Sequence, residues 1–198
     1  MYLKNRTILS MLAGIFVIVS VSGICYAYTY LTKDQALTEV LGTDCEIVTE
    51  TERLKGPILE KIKERLGGKL VYYQEGSESA EVASNKKIEF HFAVQDGKKV
   101  RVAVIDTEPG KWGPVDFVIA MDLGPRIKTV KVMRYMEKRG RPIARISFLK
   151  QYVDKTTQAP LEVGNDISAV SGATISSRAA TFAVKKALVL YEECYLKK

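Results

Sequence analysis

Two runs of strict alternation flank Asp96-Gly97, and this block constrains the fold more than any other part of the chain. Ile88, Phe90, Phe92 and Val94 share one face of Lys87–Gln95. Val100, Val102, Val104 and Asp106 share one face of Lys99–Asp106, with Ala103 and Ile105 opposite. A period of two places alternate side chains on opposite faces of a strand. Asp-Gly between two such runs is a hairpin turn. After the Gly- and Pro-rich loop Glu108–Pro114, Val115–Leu123 reads as a more buried strand. Gly124-Pro125 then turns the chain into Arg126–Met136. The middle of the chain is therefore an antiparallel meander of about four strands.

Helical patterns lie on both sides of it. Lys33–Leu41 reads as a short helix with Thr32 as N-cap and Gly42 as its stop. Glu46–Leu66 carries a second helical pattern, clearest from Pro57 and ended by Gly67-Gly68. Leu70–Gln74 reads as a strand, Gly76–Ser84 as a polar loop and Ile143–Tyr152 as a short helix. From Ser176 onward, Ala180, Ala183, Val184, Ala187, Leu188 and Tyr191 form an i, i+3, i+4 stripe. Lys185, Lys186, Glu192 and Glu193 fall off it. Ser176 or Ser177 is the natural N-cap. An antiparallel sheet with helices before and after it is an α+β pattern.

The N-terminus is of a different character. Lys4 and Arg6 precede an uncharged run from Thr7 to Thr32 with an apolar centre at Ile8–Val21. Such a run is long enough to cross a bilayer as a helix. It also has the basic, apolar and small-residue order of a signal peptide, with Cys25-Tyr26-Ala27 as a weak cleavage site. Tyr26, Tyr28 and Tyr30 at its outer end suit an interfacial belt and favour an anchor. In either case the basic N-terminus stays inside and the domain lies on the extracytoplasmic face of the membrane or in the periplasm. The expected organisation is thus a signal or anchor over 1–32, then a domain over 33–198 with a helical lead-in (33–68) and a core (69–198).

Charge and cysteine content narrow the function classes. The net charge is +7, of which Lys4 and Arg6 contribute two, leaving +5 on residues 33–198. A basic domain on a membrane favours anionic lipid, and without basic–aromatic interleaving it is a poor nucleic-acid binder. Cys45 and Cys194 could pair outside the cytoplasm. No Cys-x-x-Cys or haem motif is present, and the single histidine, His91, lies in a strand pattern. Zinc, haem and Ser-His-Asp chemistry are disfavoured, and no side chain is assigned a catalytic or metal-binding role.

The chemistry that remains lies at Ser171-Gly172-Ala173-Thr174. A glycine permits close backbone approach, a threonine hydroxyl can accept a phosphoester, and the helix that follows offers free N–H groups and a positive dipole end to an anion. Arg178, one turn on, can neutralise a phosphodiester or face solvent. Trp112, in a Gly/Pro loop, can stack on a planar cofactor or cap the core edge. Glu137 and Gly140 sit in a charged turn among Lys138, Arg139, Arg141 and Arg145, a cluster that could face a phosphate, an acidic partner or water.

This set of features resembles the FMN-binding domain shared by the G subunit of the Rnf ion-pumping electron-transfer complex and the C subunit of the sodium-translocating NADH–quinone reductase. The chain looks like the small stand-alone members that follow one export or anchor segment. The resemblance rests on Ser171–Thr174, Ser176-Ser177-Arg178-Ala179 and the helix to Glu192. Val115–Met136 with Glu137, and Phe148-Leu149-Lys150-Gln151-Tyr152, add weaker support. It implies FMN as cofactor, carried on Thr174 through a phosphoester made by a flavin transferase after export. Ser171, Gly172, Ala173, Ser176, Arg178, Glu137 and Trp112 would surround it. The implied role is electron transfer with membrane redox partners, with a non-covalent FMN reductase or a tethered binding module as alternatives. One position departs from the family pattern: Ser168 stands where an acidic residue usually lies three places before the motif serine, although Asp166 is present.

Overall fold

A computed structural model describes residues 28–29, 31–75, 86–136 and 142–197. The segment before Tyr28, and Glu137 with Lys138–Arg141, lie outside the described residues. Among those described, no helix is long and apolar enough to cross a membrane.

The chain is α+β, built on one antiparallel sheet in the order β1-β6-β5-β4-β3-β2. Strand β1 is only Tyr28–Thr29. It is followed by β2 (Glu46–Arg53), β3 (Lys87–Gln95), β4 (Lys98–Pro109), β5 (Pro114–Asp122) and β6 (Ile127–Tyr135). The four expected strands are present within a few residues of their predicted ends, with the hairpin at Asp96-Gly97.

Three expectations are corrected. Glu46–Arg53 is strand rather than helix, because all eight residues pair with β3, from Glu46 opposite Val94 to Arg53 opposite Lys87. A long-range partner outweighs a weak local helical pattern. Leu70–Gln74 is not a strand. It runs as an extended strap beside the long C-terminal helix, held by a hydrogen bond from Tyr72 N–H to the Glu108 carboxylate (2.8 Å) rather than by a ladder. Val100 packs with the opposite face from Val102, because the β3–β4 register shifts at Ala93/Val94 and turns one residue over.

Four helices complete the fold: α1 (Lys33–Leu41), α2 (Gly56–Arg65), α3 (Ile146–Leu149, flanked by 3₁₀ turns at Pro142–Ala144 and Lys150–Tyr152) and α4 (Thr174–Tyr191). Thr32 caps α1 in a capping box with Gln35, and Gly42 ends it at φ +106°. The chain finishes in a π-helical segment, Glu192–Leu196.

The two sheet faces pack differently. Against α4 lie Phe90, Phe92, Val104, Phe117, Ile119 and Met121, a face of large side chains. Against α1 lie Ala93, Ala103, Val118 and Ala120, small residues that let the helix approach closely. Every residue of the predicted α4 stripe is buried. The sheet also separates the two described cysteines. Cys194 lies in the α4 core and Cys45 packs with the α1 core, so no disulfide joins them.

Candidate functional site

The first turn of α4 is built by a tight approach. Gly172 sits at φ +75°, a left-handed conformation that glycine adopts without strain. Ala173 N–H donates to Val170 O (2.9 Å). Ala173 occupies the N-cap position and supplies no side-chain cap to the 18-residue helix, so Thr174 is its first residue and is exposed. Neither Ser176 nor Ser177 is the cap; both are buried within the helix. Ser177 instead clamps the turn from inside. Its Oγ donates to Ala173 O (2.9 Å) and accepts from Val170 N–H (3.1 Å). An uncapped helix N-terminus leaves backbone donors and a partial positive charge beside Thr174 Oγ1.

The preceding loop is anchored from two sides. The Gln151 amide accepts from Ser168 N–H (2.8 Å) and donates to Ser168 O (3.2 Å). Asp166 accepts from Glu162 N–H and pairs with Lys155, both at 2.8 Å. Burial would raise the Asp166 carboxyl, but Lys155 and the backbone donors outweigh it and hold it below its ordinary value. Asp166 is thus committed to shaping the loop.

A second loop meets the same turn. β4 and β5 are joined by 110–113, closed by Gly110 N–H to Gly113 O (2.9 Å). A Cβ at Gly110 would lie 2.8 Å from Gly113 O and from Val115 Cγ2, and 3.5 Å from Ser176 Oγ. One at Gly113 would lie 2.8 Å from Met136 Cβ. The loop carrying Trp112 is therefore pressed between β6 and the first turn of α4. Trp112 itself is half-buried, with the Lys111 ammonium 4.8 Å from its ring centroid. Gly110→Ala is expected to cost about 1–3 kcal/mol through overpacking against backbone, read as a lower urea midpoint together with reduced flavin loading. An unchanged midpoint would show that the loop yields freely.

Of the predicted site residues, Ser171, Gly172, Ala173, Thr174 and Ser176 are brought together at this turn. Trp112 rides on the loop that touches it, and Glu137 lies outside the described residues. Arg178 is exposed one turn along α4. It lines a cleft of about 650 Å³ with Lys69, Lys185 and the Tyr72–Phe182 stack, whose ring centroids are 5.1 Å apart. The strap contributes a residue with no motif of its own: Gln74 Nε2 donates to Ile175 O (2.9 Å), while its buried Oε1 has no partner. An orphan acceptor beside an uncapped helix mouth and an exposed hydroxyl fits a ligand that carries both a phosphate and hydrogen-bond donors, as FMN does.

A second buried cluster stands deeper along α4. Lys186, predicted off the apolar stripe, is buried. Its ammonium pairs with Asp106 (2.8 Å) and with Glu108, and donates to Leu70 O (2.9 Å). Burial, and next the neighbouring Asp106, push Glu108 up to about 8. The strand period had already placed Asp106 on the inward face, but only the packing of α4 supplies its partner.

Comparison with known proteins finds a family match over this part of the chain. Residues 110–189 match the family model of the FMN-binding domain, a span running from the Trp112 loop through nearly all of α4. The matched span carries the likeness to the FMN-binding domain and supports FMN as the cofactor. No curated protein matches the chain. Among solved structures it is similar to Shewanella oneidensis NqrC, with a TM-score of 0.45 and 17% identity over 70% of this chain and 76% of that one.

Proposed function

We propose that this protein is an extracytoplasmic electron carrier that holds FMN covalently, through a phosphoester on Thr174 made by a separate flavin transferase. The observation that carries the proposal is the exposed Thr174 hydroxyl at the uncapped N-terminus of α4, inside the span that matches the family. When bound, FMN supplies reversible one- or two-electron transfer. The chain's own residues do the positioning. The backbone donors of the first turn would receive the phosphate, Gly172 would give it clearance and Arg178 would offer compensating charge, while Ser177 and Gln151 hold the turn in shape.

The reading places the flavin near the membrane. Tyr28 is in register with Tyr135, Gly113 abuts Met136, and Gly110 abuts Ser176. The uncharged N-terminal run and the Thr174 turn therefore meet the sheet at the same end, which suits redox partners held in or on a bilayer. Ser168, in the place of an acidic residue, motivates the second reading, a non-covalent FMN reductase.

Intact mass decides between them. Protein exported from a host with the transferase should exceed the mass of the chain by one FMN less one water, and should fluoresce in a denaturing gel. Yellow protein that loses all flavin on denaturation would establish the non-covalent reading instead.

A further inference from the structure

An apolar groove of about 720 Å³ runs along the part of β6 that β1 leaves uncovered. Its floor is formed by Leu31, Val132, Ala144 and Leu149, and its rim by Lys128, Lys131, Arg145 and Lys150. Two more of its lining residues are exposed: Ile146 at 71%, the most exposed large hydrophobic residue among those described, and Val153 at 41%. Ile146, Lys150 and Val153, at spacings of four and three, bring apolar and basic side chains to one side of a helical segment. Lys128 and Lys131 are paired with surface carboxylates, whereas no ion pair among the described residues uses Arg145 or Lys150.

We infer that this groove seats the domain on the surface of an anionic lipid bilayer. The inference rests on the membrane location proposed above. Two observations choose the occupant. The first is where the chain enters: the uncharged run Thr7–Thr32 ends at the groove, with Leu31 N–H bonded to Met133 O (3.3 Å) and Leu31 among the lining residues. A membrane segment that leads into Leu31 brings the bilayer surface to this edge of the sheet. The second is charge. The uncharged run itself would fill an apolar floor but offers nothing to a basic rim, and a second copy would present the same basic rim to this one. An anionic interface satisfies floor and rim together, with Ile146 and Val153 entering the headgroup–acyl boundary and Arg145 and Lys150 at the phosphates.

The test uses the full chain in lipid nanodiscs of phosphatidylcholine with and without phosphatidylglycerol, followed by hydrogen–deuterium exchange. Amides of 145–153 should exchange severalfold more slowly when phosphatidylglycerol is present, with those of α2 as an unaffected reference. The double substitution R145E/K150E should remove the slowing, and Ile146→Asp should reduce it. Equal exchange in both lipids, with the chain incorporated in the discs, overturns the docking surface and leaves the membrane location standing. Slowing that is independent of lipid charge and survives R145E/K150E also overturns it, in favour of the chain's own apolar run or a second copy. A chain that does not incorporate into the discs overturns the membrane location and this inference together.

Discussion

Thr174→Ala yields a folded protein with no covalently bound flavin. Its intact mass equals that of the chain alone, and its band on a denaturing gel is dark under ultraviolet light. The expected loss is complete because the linkage requires a hydroxyl at this position, and alanine removes the only oxygen of the side chain. Stability should change by no more than about 0.5 kcal/mol, since Thr174 is exposed and starts the helix without capping it. Alanine is also at least as good a helix former. Thr174→Ser should retain the linkage, because the hydroxyl stays at the same helix mouth. Flavin that survives denaturation of Thr174→Ala would move the attachment point elsewhere and sink the proposal.

Lys186→Met is expected to cost about 3–5 kcal/mol, the largest stability effect of any single substitution proposed for this chain. The ammonium is buried between Asp106 and Glu108, and its three donors go to those two carboxylates and to Leu70 O. Methionine matches the stem but leaves two carboxyl groups facing each other, and frees the strap that carries Gln74. Urea unfolding near neutral pH reads the loss.

The same cluster fixes the direction of a pH dependence. Burial and the nearby Asp106 raise Glu108 to about 8 in the folded protein, and Asp106 is raised as well, first by burial. A raised carboxyl binds its proton more tightly in the folded state. Its contribution is fully present below its unfolded value and is lost as the pH rises through about 8. Wild-type protein should therefore lose stability between pH 6 and pH 9, by up to about 1.4 kcal/mol per pH unit within the window. Asp166, Glu89 and Glu192 are shifted down and act in the opposite sense, but only in acid. Glu108→Gln should flatten the slope while keeping a hydrogen-bond partner for Lys186. Equal urea midpoints at pH 6 and pH 9 in the wild type would show that the cluster does not titrate there. Glu108→Gln keeps the test alive should Lys186→Met fail to fold.

Much of this was legible because it is local. The alternation around Asp96-Gly97 located the central hairpin, and the stripe from Ala180 to Tyr191 located α4 and its buried face. Thr32 and Gly42 bounded α1, since caps are read from a few neighbouring residues. The motif at Ser171–Thr174 pointed to the helix mouth for the same reason. The cap assignment failed at Ser176 and Ser177 because serine oxygen can also reach back inside the first turn, and only the position of Val170 reveals which it does.

Sequence by itself determined the α+β class, the strand and helix periods, the uncharged N-terminal run and the threonine at the start of α4. Each of these follows from side-chain order along a short stretch of backbone. Tertiary structure alone decided that Glu46–Arg53 joins the sheet and that Leu70–Gln74 is a strap. It also decided that Cys45 and Cys194 lie on opposite faces, and that Lys186 is buried against Asp106 and Glu108. Those outcomes depend on residues tens of positions apart competing for the same space. A buried charge or an edge strand is settled by the partner that arrives there, and no local pattern encodes its arrival.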